Sequence, residues 1–241
     1  MDLYWLEQTE KDVPAGDAWL SAAEVSHQEK LRFAKRRNDW RLGRWTAKLA
    51  VASYLHSPFL HSNPTLIEVR PEPSGAPRGY VAGHPMERAI SLSHCNGGAL
   101  CVIASSQAAM GCDLEAIEDR GAAFFDDYFT ASEQNWIAAA PEREHAKLTT
   151  LVWSAKESAL KALGVGLRSP TRSVVVSPID AAPVMPGDDD CDWLPLRVES
   201  QEGQIFQGWW RFANGRVQTV VSDPGAPPPI CLVLPVATIK D

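Results

Sequence analysis

Hydrophobic and polar positions follow two periods along this chain. From His27 to about Tyr54 no proline interrupts a helical pattern and only Gly43 lies inside it, while Ser26 and Glu29 have the spacing of a capping box, so one long helix is predicted there. A second long helix is predicted from about Glu142 to Leu163, with Leu148, Val152, Ala155, Ala159 and Leu163 on one apolar stripe and Gly164 as its stop. Thr130 and Glu133 form another capping box, which opens a short helix through Ala139 that Pro141 punctuates. Period two, with β-branched residues, governs LIEVR, ISLSH, ALCVIASS, a short strand around Cys112 to Glu115, SVVVS, LRVES, QIFQGWWRF and VQTVVS. PEPSGAPRG and IDAAPVMPGDDDCD read as loops, the acids of the second as a solvated surface. The order is a long helix followed by strands, twice over, without regular βαβ alternation. It predicts an α+β fold of two similar halves, residues 1–110 and 111–241.

Composition narrows the class. A chain of 241 residues, 45% of them hydrophobic, can bury a sizeable core. There is no run of about 18 apolar residues, and MDLYWLEQTEKD lacks the basic, apolar and small-residue order of a signal peptide, so a soluble cytoplasmic protein without membrane association is expected. Five cysteines without a C-x-x-C pair indicate neither a disulfide framework nor a zinc site. A net charge of -7 argues against a general nucleic-acid binder. Against that background, KLRFAKRRNDWRLGRWTAK carries eight basic residues and the single acid Asp39, a local cationic patch.

Three elements could carry chemistry. In GCDLEAI a strand would point Asp113 and Glu115 to one face and Cys112 and Leu114 to the other. Such a pair is either two solvated acids or a site for a hard cation, since magnesium takes one or two protein carboxylates and leaves the rest to water and phosphates. In VWSAKESALKALG, Trp153, Glu157 and Lys161 are successive i, i+4 neighbours beside the apolar stripe, which is also the pattern of a surface ion pair next to a half-buried Trp. In AISLSHC, alternation sets Ser91, Ser93 and Cys95 on one face and Ile90, Leu92 and His94 on the other. The Asn96-Gly97-Gly98 turn that follows would let backbone amides approach an anion.

Taken in order, S-L-S-H at 91–94, G-C-D-L-E at 111–115 and W-S-A-K-E-S-A-L-K at 153–161 resemble the 4'-phosphopantetheinyl transferases, specifically the single-chain, pseudo-dimeric surfactin-synthetase-activating type. R-R-N-D-W-R-L-G-R at 36–44 and G-A-P-R at 75–78 are fainter matches. The resemblance implies two α+β halves related by a pseudo-twofold axis, with coenzyme A in the cleft between them. It implies a Mg²⁺-dependent transfer of the phosphopantetheine arm to a serine of an apo acyl or peptidyl carrier protein, in fatty-acid or secondary-metabolite synthesis, by a monomer.

Carried over residue by residue, Asp113, Glu115 and Glu157 would hold the metal in the C-terminal half. Lys161 would contact the pyrophosphate, and Ser93 and His94 the nucleotide end. Arg36, Arg37 and Arg44 match the family's cationic helix. Many members carry a Lys within a G-K-P loop where this chain has Ala76, and the missing cation is assigned to Arg78. Glu157 is the candidate general base, in competition with its role as a ligand. Trp153 is expected to orient its helix, Lys156 to lie at the substrate or helix surface, and Phe124, Phe125 and Tyr128 either to dock a carrier or to be ordinary core aromatics. Two rival classes remain at this level: a magnesium-dependent phosphodiesterase or nucleotide hydrolase using the same acids, and a non-catalytic anion-binding module.

Overall fold

A computed structural model describes residues 1–177 and 192–235. The loop at 179–192 lies almost entirely outside the described residues.

The first half opens with β1 (Leu3–Thr9), followed by α1 (Ala22–Glu29) and α2 (Ala34–Tyr54). The single helix expected over 27–54 is therefore two. α1 starts earlier, at a capping box of Ser21 and Glu24: the Glu24 amide donates to Ser21 Oγ and the Ser21 amide to Glu24 Oε2. Phe33, in extended conformation, separates α1 from α2. The break has a tertiary cause. Glu24 pairs with Lys48 at 2.8 Å, whereas an unbroken helix would hold residues 24 apart about 36 Å from each other. Folding α1 back also stacks His27 on Trp40.

The short helix α3 (Pro58–Ser62) leads into the β2 (Ile67–Pro71), β3 (Pro77–Val81) and β4 (His84–Pro85) meander, so part of the expected PEPSGAPRG loop is strand. The hairpin β5 (Ile90–Cys95) and β6 (Gly98–Ala104) follows as the sequence predicts. The second half begins with β7 (Ala109–Ala116). It continues with α4 (Ala122–Tyr128), α5 (Ala131–Ala138) and α6 (His145–Ala162), then β8 (Val174–Ser177), β9 (Leu194–Ser200), β10 (Ile205–Ala213) and β11 (Arg216–Asp223). The predicted capping box of Thr130 and Glu133 opens α5, and Gly164, at φ 69, follows the last turn of α6. A last strand, β12 (Ile230–Cys231), pairs in parallel with β1.

Strand order is β12-β1-β6-β5 in one sheet and β7-β11-β10-β9-β8 in another. α2 packs on the first with Leu6, Ala47, Val51, Cys101 and Ile103 in its core, and α6 on the second with Leu148, Val152, Val217 and Val221. Between them a third core joins Leu3, Trp5, Leu100 and Val102 to Met110, Cys112, Leu114 and Val220. The expected apolar faces of β7 and α6 are thereby observed.

Several local features occur once in each half. The β5–β6 and β10–β11 hairpins both turn on Asn-Gly at positive φ, Asn96-Gly97 and Asn214-Gly215, as a two-residue hairpin of this kind requires. Both long helices carry a fully buried lysine. Lys48 meets Glu24 and donates to the carbonyls of Pro64 and Ile67; Lys156 meets Glu133 at 2.9 Å and donates to those of Thr171 and Val174. Lys156 is thus not at the surface expected for it, because α5 and β8 cover that side of α6. Burial lowers the pKa of both lysines, and a glutamate partner opposes the shift in each case.

Candidate functional site

β7 and α6 approach so closely that a Cβ on Gly111 would fall 2.0 Å from the Ser158 carbonyl and 2.8 Å from the Ala162 amide. Only glycine permits this crossing. Ser154 and Ser158 fasten the same contact to Thr219 of β11 through hydroxyls 2.8 and 2.7 Å apart. The crossing brings the polar face of β7 beneath one face of α6. Asp113, Glu115 and Glu157 each present an oxygen there, all within 4.8 Å of one another.

Asp113 is 1% exposed. Its Oδ1 accepts from Lys161 Nζ at 2.7 Å and from Ser93 Oγ at 2.8 Å, whereas its Oδ2 is buried with no partner. A buried carboxylate oxygen without a donor is costly, and a cation between the three acids would satisfy it. The donors are all hard oxygens, the set suited to magnesium. Glu115 accepts from Trp153 Nε1 and Arg120 Nη2, each at 3.1 Å. Burial and then the Asp113 charge raise its pKa. The same two causes, in the same order, push Glu157 up to about 7, with Lys161 3.9 Å away opposing. Burial would lower the pKa of Lys161, but Asp113 foremost among its neighbours outweighs it and the net shift is upward.

Ser93 lies with His94, Arg36 and Arg44, where the nucleotide end is expected. It borders the groove, but its hydroxyl is committed to Asp113 and to Lys161, which donates to it at 3.1 Å. The other hydroxyl on this strand face, Ser91, accepts from the Cys112 amide and ties β5 to β7. The Asn96-Gly97 turn does not offer an anion cradle. The Glu10 amide donates to Gly97 O, the Glu10 carboxylate lies beside Gly97, and Arg216 donates to Asn96 O.

A trough runs past Ser93 and Lys161, the two residues hydrogen-bonded to Asp113 Oδ1. Its first cavity, about 410 Å³, is lined by Arg36, Trp40, Arg44 and His94. The next, about 250 Å³, shares Gly75, Pro77 and Leu92 with the first and reaches Lys161. The third, about 470 Å³, shares Lys161 and Met110 with the second and contains Arg78 and Arg88. Arg44 lies over the Trp40 ring at 5.2 Å, its Nε buried without an acceptor, and burial lowers its pKa. Burial also lowers the pKa of His94.

Arg37 and Arg78 lie apart from the first cavity. Arg37 turns back to the Leu31 carbonyl at 3.1 Å and fastens the α1 to α2 link. Arg78 pairs with Glu72 at 3.1 Å in the third cavity, apart from Arg36 and Arg44. Of the aromatics, Phe124 and Phe125 pack against the second core and Tyr128 is 37% exposed, while Phe33, at 74%, stands out. Arg120 was not singled out by sequence, where it reads as one more charge in a polar loop.

Residues 109–201 match the family model of the 4'-phosphopantetheinyl transferase superfamily. The match covers β7 to β9, and with them all three acids and Lys161, and it supports phosphopantetheinyl transfer by a transferase in general terms. Arg36, Arg44, Ser93 and His94 lie outside it. No curated protein matches the chain. No helix among the described residues is long and apolar enough to cross a membrane.

Proposed function

We propose that this chain transfers the 4'-phosphopantetheine arm of coenzyme A to a serine of an apo acyl or peptidyl carrier protein and releases 3',5'-ADP. The observation that carries this reading is the trio of carboxylates within 4.8 Å, one of them holding a buried unpartnered oxygen, set beside Lys161 and an arginine-lined trough.

In this reading Asp113, Glu115 and Glu157 hold Mg²⁺, whose chemistry is to neutralise charge on the diphosphate. Lys161, held by Asp113, Ser93 and the Cys112 carbonyl, sits at the middle of the trough, where its ammonium meets the same phosphates. Arg36, Arg44 and His94 receive the nucleotide end, and the orphaned Nε of Arg44 is available to a phosphate oxygen. The carrier serine Oγ forms a bond to the β-phosphorus while the bond from phosphorus to the oxygen of 3',5'-ADP breaks. The hydroxyl proton passes to Glu157, whose role as base competes with its role as metal ligand. The repeated turns and buried lysine–glutamate pairs support two halves related by a pseudo-twofold axis. The test is intact mass spectrometry of apo carrier proteins of several classes incubated with the chain, coenzyme A and Mg²⁺. A phosphopantetheine mass increment is expected, and its absence from every class would refute the assignment.

A further inference from the structure

Two of the three acids already carry a fixed cation. Lys161 sits on Asp113 at 2.7 Å and Arg120 on Glu115 at 3.1 Å, with Glu118 3.6 Å from the same Arg120 nitrogen. Arg120 is not a loose surface charge. Its side chain is 11% exposed, and its guanidinium carbon lies 4.6 Å from the Phe124 ring centre and 5.6 Å from that of Trp153. Trp153 in turn donates to the other oxygen of Glu115. The aromatic recess keeps Arg120 beside the metal-binding acids, yet its Nε is buried without an acceptor. Three carboxylates against two fixed cations, one of them shared with the solvent-exposed Glu118, make a weakened receptor for a bare divalent ion, and in a partly desolvated site those cations are poorly screened. Phosphate oxygens entering the trough beside Lys161 would supply the missing negative charge.

We propose that Arg120 is an internal counter-ion that opposes uptake of a bare divalent cation, so that the cation is taken up together with the phosphates of coenzyme A. This rests on the reading of Asp113, Glu115 and Glu157 as a metal site. Arg120 is a positioning residue in this scheme, acting through Glu115.

The test is Mn²⁺ binding to the full chain by electron paramagnetic resonance, without carrier protein and hence without turnover, in the presence and absence of coenzyme A. In wild type, coenzyme A is expected to tighten Mn²⁺ binding by roughly tenfold or more. Arg120→Met, whose side chain fits the recess, should tighten binding of Mn²⁺ alone by on the order of tenfold and shrink the effect of coenzyme A. Arg120→Lys should stay near wild type, because it keeps the charge. If Arg120→Met does not fold, Arg120→Gln carries the same expectation. Unchanged or weaker Mn²⁺ affinity in a folded charge-removed variant overturns the proposal, as does indifference of the wild type to coenzyme A. If no form binds Mn²⁺ under either condition, the metal reading itself fails and takes the inference with it.

Discussion

At the place where β7 and α6 set Asp113, Glu115, Glu157 and Lys161, β1 and α2 set Leu6, Gln8, Leu49 and Ser53. The correspondence follows from register. Leu6 pairs with the residue three beyond Gly98 at the start of β6, and Asp113 with the residue three beyond Arg216 at the start of β11; Leu49 follows Lys48 as Glu157 follows Lys156. In one half Leu6 joins an apolar core against which the partly buried Leu49 packs; in the other the corresponding positions hold three acids and a lysine. The buried lysine–glutamate pairs occur in both halves and so belong to the framework, whereas the charges on the β7 side occur in one half and are those the proposed function assigns to the chemistry.

That contrast can be broken at its strongest point first. Asp113→Asn should lower transfer to a carrier by about a thousandfold or more while the protein remains folded. The counterpart Leu6→Ala should cost about 2–4 kcal/mol in denaturant unfolding and reduce activity only as far as unfolding explains. Lys48→Met and Lys156→Met each leave a glutamate buried without its cation, and each should destabilise by about 3–5 kcal/mol. Equal losses in urea titrations would confirm a shared structural role, and a small loss at either would remove that lysine from the framework.

pH sharpens the comparison further. The pKa of Glu157 is raised from 4.5 to about 7, so the folded metal-free protein holds that proton more tightly than the unfolded chain does. Its contribution to stability is therefore complete below about 4.5 and is lost as pH rises through about 7. Glu157→Gln should make the metal-free protein more stable than wild type above that range, by on the order of 2 kcal/mol. Leu49→Gln in the other half should show no such pH dependence. The smallest effect is expected at Arg44→Ala, which should raise the KM for coenzyme A by roughly tenfold with kcat little changed.

Much of this arrangement is legible in the sequence because it depends on local rules. Alternation placed Asp113 and Glu115 together, and i, i+4 spacing placed Glu157 with Lys161. The Thr130 capping box and Gly164 bounded two helices. What escaped depends on contacts between distant segments. Two S-x-x-E boxes, at Ser21 and Ser26, compete for the start of α1, and Glu24 must reach Lys48 for the first to prevail. Lys156 reads as a surface residue because its partner, Glu133, lies on another helix. Arg120 carries no motif, and its recess is built from Phe124 on α4 and Trp153 on α6.

The claim on which the rest stands is that three carboxylates from a strand and a helix share one divalent ion. A crystal structure with Mn²⁺ and coenzyme A, using the anomalous signal of manganese, tests it directly. The account predicts a peak about 2.1 Å from an oxygen of each of Asp113, Glu115 and Glu157, with phosphate oxygens completing the shell. A peak bound elsewhere, or coenzyme A seated in the trough with no ion between these acids, would contradict it.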